Sequence, residues 1–362
     1  MLKDRQHGFR PQKGTNTAIA VTYETISNAL SNKEQVTVVL RDVAKAFDKV
    51  WHAGLKYKIL KLNLPPPLEA ILCTFLDNRT STIHIGNSHS DQIALLSGVP
   101  QGSVLSPTLY TLYTNDLPAA GPSCLITMYA DDVTQVITSQ SKSKHMMRLK
   151  AEREIKTIND YEKLWKIRTS EEKFKIIPIA QLKSDNLTIN NKIIEPNNDS
   201  KLLGFKLHRK GITNHITDRK NKGTAVLGAI YRFKNLSPQV KTTLIKTLLV
   251  PILEYPPIPI NATTNTQKLK LQKVLNRGLR FININDDEGN ASIEELHKRY
   301  NITPINISVH NKAENIWEAI KVNDEHIYNK LIEDRNNEYN HSWFPSSMLS
   351  ILQEPPLPLY TS

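Results

Sequence analysis

The sequence predicts an α+β fold, and three observations carry that expectation. Short, β-branched apolar runs at Gln35–Leu40, Cys124–Tyr129 and Val133–Ile137 have the length and composition of buried strands. The last two are separated only by Ala130-Asp131-Asp132, which makes them a hairpin with carboxylates at its tip. From Lys206 onward strands give way to apolar residues at helical spacing. A chain of 362 residues also exceeds the usual size of one domain, so two or three packed units are expected.

In order, Thr15–Leu30 has helical spacing behind Thr and Asn, both good cap residues. The strand Gln35–Leu40 runs directly into Arg41 and Asp42, placing that aspartate at a strand end. Helical spacing returns at Trp51–Leu64, stops at Pro65-Pro66-Pro67 and resumes to about Asn78. Ser81–Gly86 and Ser90–Leu95 read as a hairpin turning near Gly86-Asn87. After the loop Ser97–Gly102, Ser103–Asp116 has the pattern of a buried helix. A long amphipathic helix over Ser143–Ile167, a strand Phe174–Ala180 and a hairpin turning at Asn190-Asn191 follow. The change of pattern suggests a domain boundary near Leu207. Asp286–Asn290 reads as a linker before a capped helix at Ser292, and the Pro- and Leu-rich tail Glu354–Ser362 as loosely ordered.

The formal net charge is +12, which favours a polyanionic partner, nucleic acid or an anionic membrane surface. The longest apolar runs, such as that around Leu244–Leu253, are too short to span a bilayer. Cys73 and Cys124 lie far apart with no Cys or His at ligand spacing, so neither a disulfide framework nor a zinc site is expected. The polar start Met-Leu-Lys-Asp-Arg-Gln has no secretory pattern, and an intracellular protein is expected.

Asp42, Asp131 and Asp132 carry the chemistry. A lone Asp-Asp pair is ordinarily a turn signal, but three carboxylates at strand ends repel one another and call for a cation or protons. A hard, oxygen-liganded ion suits such a set, and Mg²⁺ is the natural candidate.

Several segments resemble successive blocks of reverse transcriptases from non-LTR retrotransposons, those of jockey-like elements in particular. They are RDVAKAFDKVWHAGL (Arg41–Leu55), SGVPQGSVLSPTLYTLYTNDLP (Ser97–Pro118) and MYADDV (Met128–Val133). HGFRPQKGTNTA (His7–Ala18), RTSEEKFKIIPI, KLLGFKL and the segment from Ile245 to Ile282 extend the likeness over nearly the whole chain. The resemblance implies a right-hand polymerase palm with an antiparallel sheet at 36–207, partial fingers at 1–35, a helical thumb at 208–285 and a C-terminal helical region at 286–362. It implies RNA-directed DNA polymerase activity with two Mg²⁺ ions, or Mn²⁺ in their stead, held by Asp42, Asp131 and Asp132. Phe47 would be the aromatic gate against a ribose 2′-hydroxyl. Gln101, Gly102, Phe9 and Arg10 would meet nucleotide or template, Lys173 would lie near the triphosphate, and Leu203-Gly204 would form the primer grip. The expected partners are an RNA template, a DNA primer or target and dNTP, with no membrane. The expected locations are the nucleus during integration and the cytoplasm during assembly. The basic run Lys206–Lys246, in which Asp218 is the lone acid, would lie along the phosphates of a hybrid.

Three features depart from the family pattern. Relatives of this type carry an endonuclease and further fingers residues ahead of HGFR, so the chain reads as a fragment or decayed copy. Arg41 stands where an apolar residue is usual, and an unpaired guanidinium there would be costly to bury. Tyr255-Pro256-Pro257-Ile258-Pro259 also differs. His52 has no evident partner, and Trp51 and Trp165 read as packing residues. Two other readings stay open: an inactive nucleic-acid-binding remnant, and a two-metal nuclease.

Overall fold

The computed structural model describes residues 2–118, 121–170, 172–180, 186–189, 191–284, 291–333 and 356–360. The elements before the hairpin that carries Asp131 and Asp132 are α1 (Thr15–Ser31), β1 (Gln35–Asp42), α2 (His52–Leu60), α3 (Pro66–Thr74), β2 (Thr80–Ser81), β3 (His84–Ile85), β4 (Ser88–His89), β5 (Ile93–Ala94) and α4 (Leu105–Thr114). Then come β6 (Cys124–Tyr129), β7 (Asp132–Ser139), α5 (Lys144–Leu164), β8 (Lys175–Ile179), β9 (Leu187–Ile189), β10 (Lys192–Ile194), β11 (Asp199–Leu202) and β12 (Phe205–His208). Helices alone follow among the described residues: α6 (Thr213–Ile230), α7 (Pro238–Leu244), α8 (Val250–Glu254), α9 (Pro257–Ala262), α10 (Asn265–Ile282), α11 (Ile293–Arg299), α12 (Ile305–Asn323) and α13 (Glu325–Glu333). Among those residues, no helix is long and apolar enough to cross a membrane.

The central sheet has the order β6-β7-β1-β8 and is antiparallel throughout. β1 is buried along its middle because layers cover both its faces. Val36, Val38 and Leu40 turn toward α1 and the C-terminal helices, while Val39 turns toward α5. This alternation sends Asp42 and Arg41 to opposite faces. A third apolar cluster, including Leu55, Ile59, Leu109 and Tyr110, supports the loop after Asp42 from beneath.

Several expectations need adjustment. The region after α3 forms two short exposed pairs, β2 with β5 and β3 with β4, turning at Gly86 with φ of 60°. Four of its apolar residues, Ile83, Ile85, Ile93 and Leu96, are more than half exposed, so it lacks the buried face that would extend a ladder. The change of pattern at Leu207 marks the end of the strands but no break in the core: one apolar cluster joins α1, the sheet and the helices through α13. Lys13 reaches Asp324 at 2.5 Å, and the Asn28 amide donates to the Leu331 carbonyl, tying α1 and its approach to the last helices. The expected linker Asp286–Asn290 lies outside the described residues. Of the tail, 356–360 is docked rather than loose: Asn306 donates to the Leu357 carbonyl and accepts from the Leu359 N–H at 3.3 Å.

Candidate active site

Asp42 ends β1 and Asp132 begins β7, and the ladder sets these two residues opposite each other. Asp131 adjoins them on the turn from β6 to β7, where Ala130 has φ of 56°. Residues distant in sequence therefore meet because two strands end in register. Burial, and then the charges of Asp131 and Asp42, push the Asp132 carboxyl up to about 6. Asp131 is raised too, by burial first and also by the charge of Asp42, against a backbone hydrogen bond and Lys173, which lower it. Lys173 offers a partial counter-charge, its ammonium 2.8 Å from Asp42. Among the described residues, no group of three or more acidic, histidine or cysteine side chains is already arranged to hold a metal ion. The three aspartates are neighbours, with Asp42 turned to Lys173.

A cleft of about 320 Å³ opens beside them, lined by Asp42, Asp131, Phe47, Gln101, Ser170 and Lys173 among others. Phe47 is stacked on Tyr110 with centroids 5.1 Å apart and meets Phe9 edge-on at 6.2 Å. The loop 97–102 is pinned to the loop 47–50. Gly98 N–H donates to Val50 and Val99 N–H to Phe47. A Cβ on Gly98, whose φ is 90°, would lie 2.7 Å from the Asp48 carbonyl, so only glycine fits. His52 and Arg79 both engage the Gly98 carbonyl, which gives His52 the partner that sequence alone did not suggest. Gln101 donates to the Asp48 carboxylate at 2.8 Å. Gly102 has φ of 89° and open space around it.

Arg41 is paired, which corrects the expectation of an unsatisfied charge. It is 2% exposed and reaches Gln135, Asn159, Glu162 and the Ile155 carbonyl, so it straps β1 to α5. Arg10 is not brought to the cleft: its guanidinium donates to the carbonyls of Lys3 and Gln6 and lies 3.8 Å from Asp4. The N-terminal segment instead clamps the turn at Ala130 that carries Asp131. Gln6 Oε1 accepts from both the Ala130 and Gly8 N–H groups, and a Cβ on Gly8 would lie 2.4 Å from the Ala130 nitrogen.

The Leu203-Gly204 turn joins β11 to β12 with φ of 48° and 85°, values of a type I′ hairpin. The Tyr255 hydroxyl donates to the Leu203 carbonyl, and its ring would be 3.2 Å from a Cβ on Gly204. Arg219 donates to the Gly204 carbonyl at 3.2 Å. Arg219 and Lys241 are buried, which removes both from a phosphate-facing surface; Lys210, Lys220, Lys222, Arg232, Lys234 and Lys246 are exposed. Sequence reasoning gave no role to Gln6, Asp48 or Asn159, each of which acts through a partner more than 50 positions away. Tyr255 registered only as a departure from the family pattern.

A group of carboxylates at the end of an antiparallel sheet, beside a cleft lined in part by Phe47, has a counterpart among known families. Residues 1–222 match the reverse transcriptase (RNA-dependent DNA polymerase) family, and the chain belongs to it. Within the family it is similar to the RNA-directed DNA polymerase from mobile element jockey of Drosophila melanogaster, 32% identical over 69% of this chain and 28% of that one. The probable RNA-directed DNA polymerase from transposon X-element of the same species is 28% identical over 77% of this chain and 32% of its own length. The chain thus spans about a third or less of these two relatives. Among solved structures, telomerase from Candida tropicalis overlays with a TM-score of 0.44 at 12% identity, over 91% of this chain and 53% of that one.

Proposed function

We propose that the chain is the catalytic part of an RNA-directed DNA polymerase, joining a deoxynucleotide to a primer 3′-hydroxyl on an RNA template. The observation that carries this reading is the pairing of Asp42 with Asp132 in register, with Asp131 adjoining, beside the cleft. Reverse transcriptases use divalent metal ions, and this donor set fits them: all oxygen, mutually repelling and part-buried. Asp42, Asp131 and Asp132 would hold two Mg²⁺ ions, or Mn²⁺, which supply activation of the 3′-hydroxyl and stabilisation of the leaving pyrophosphate.

The remaining work falls to the chain's own groups. Lys173 carries a raised pKa through its hydrogen bond to Asp42, so it stays a cation near the triphosphate and offsets charge on the departing pyrophosphate. Phe47 is held rigid by Tyr110 and forms a wall against a ribose 2′-hydroxyl. Gln101, oriented by Asp48, and the backbone at Gly102 receive nucleotide and template. The Leu203-Gly204 turn, steadied by Tyr255 and Arg219, seats the primer end. Exposed Lys220, Lys222, Arg232, Lys234 and Lys246 supply phosphate contacts for the hybrid. On this reading residues 36–207 act as palm, 1–35 as part of the fingers, 208–285 as thumb and 286–362 as a C-terminal region, in a protein that works in the nucleus and cytoplasm.

Primer extension on an RNA template with dNTP and Mg²⁺ tests the proposal. The parent chain should extend, and Asp131→Ala should extend about a hundredfold less or not at all. Equal background in both would leave an inactive nucleic-acid-binding remnant, and cleavage without added nucleotide would indicate a nuclease.

A further inference from the structure

A cavity of about 1260 Å³, separate from the catalytic cleft, opens beside the end of α5 and the strands β9 and β10. Ile167, Arg168 and Thr169 line this pocket, while Ser170 and Lys173 line the cleft. Lys49, Lys163, Lys166, Arg168 and Lys192 line it, all exposed. Two carboxylates also line it, and Glu162 is committed to Arg41 and to the Thr169 hydroxyl. Five cations against Glu195 give the rim a strong positive excess. Its lining is apolar in part: Ile193 on β10 is 72% exposed, and Ile167, Ile194 and Phe174 line it too, the last covered on one side by the Arg41 guanidinium 5.1 Å from the ring centre.

From this geometry we propose that the pocket between α5, the strands β9 and β10 and residues 167–169 is a second nucleic-acid site, one that takes a single strand. A cationic rim attracts any polyanion, but an apolar interior offers surface only to a ligand that can turn bases inward. A single strand does this and a duplex does not. Arg41 is the strut of the site, since it fixes Asn159 and Glu162 of α5 above the sheet. The inference goes beyond the polymerase reading, and its test needs no turnover, so the two can fail separately.

Fluorescence anisotropy with the full chain and oligonucleotides of about 12 nucleotides, single-stranded RNA or DNA, reads the site directly. The catalytic cleft is first filled with a primed duplex. The parent chain should still bind the single strand, with affinity falling as salt rises. The triple variant K163E/K166E/K192E should bind it about tenfold or more weakly, with a salt slope smaller by about 2, near 0.7 for each lost phosphate contact. The neutral set K163Q/K166Q/K192Q should fall between, and all three proteins should melt alike because these side chains are exposed. Equal affinity and slope in parent and triple variant overturn the proposal, as does no binding once the duplex is in place. Charge-dependent binding to anionic lipid vesicles, with no binding to either oligonucleotide, would overturn it in favour of a membrane surface.

Discussion

The positions of single side chains decide how finely this site is set. Asp48 is exposed and follows Phe47 in the loop, yet it holds the Gln101 amide in one orientation. Asp48→Ala should raise KM for dNTP several-fold in primer extension while leaving the melting temperature nearly unchanged, and Asp48→Asn should restore part of the loss. A fall in kcat alone would argue that Gln101 does not meet the nucleotide. Arg41 is the opposite case, a buried group whose worth is structural. Burial lowers its pKa, with Glu162 opposing the shift, and four acceptors surround it. Arg41→Leu strands those acceptors and should cost about 3 kcal/mol in a denaturant titration. A loss under about 0.5 kcal/mol would mean that water or repacking serves α5 equally well.

At the scale of elements, the hairpins are held by groups from other parts of the chain. Gly204→Ala places a methyl group at φ of 85° and against the Tyr255 ring. It should destabilise by about 1–2 kcal/mol, and primer extension should suffer more than single-strand binding. The junction of β12, α6 and the start of α9 turns on His215. Its Nδ1 accepts from the Lys206 N–H, so the neutral ring carries its proton on Nε2 and donates to the Tyr255 carbonyl at 2.9 Å. Burial lowers this imidazole to about 4. Because the unfolded chain protonates near pH 6.5, it binds more protons than the native state between pH 6.5 and 4. Stability is thus retained above pH 6.5 and lost as pH falls to 4, by up to about 3 kcal/mol from this residue. His7, lowered by burial to about 3, acts with the same sign. Melting temperatures measured from pH 7 to 4 should fall, and His215→Gln should flatten the fall. An unchanged slope in that variant would assign the acid sensitivity elsewhere.

At the scale of the whole molecule, one of the apolar clusters crosses every expected boundary. Val309, Ala313, Trp317 and Ile320 of α12 are buried in the same apolar cluster as Ile19, Tyr23 and Ile26 of α1. Removing everything after residue 284 would uncover that face of α1 and leave Lys13 without Asp324. The shortened chain should lose its cooperative melt and elute as aggregate on gel filtration. A compact, cooperatively melting product would show instead that the helices after residue 284 are dispensable. The same continuity bears on the candidate site, because the segment Gln6–Gly8 that clamps the turn carrying Asp131 runs straight into the part braced by α12 and α13.

Local pattern was sufficient for the strands β1, β6 and β7, the hairpin tip carrying Asp131 and Asp132, and the long helix α5, since length, apolar period and turn residues fix these within a few positions. The wording of the Arg41–Leu55, Ser97–Pro118 and Met128–Val133 segments likewise pointed to the family. What the sequence left undecided were groups that act by proximity alone: Gln6 and Gly8 against Ala130, Asp48 against Gln101, Tyr255 and Arg219 on the Leu203-Gly204 turn, and the burial of Arg41 and Lys241. A surface lysine and a buried one, or a loop aspartate and a positioning one, have the same letters and the same neighbours in sequence. Only the packing of distant segments, which excludes water from some of these groups and supplies partners to others, separates them.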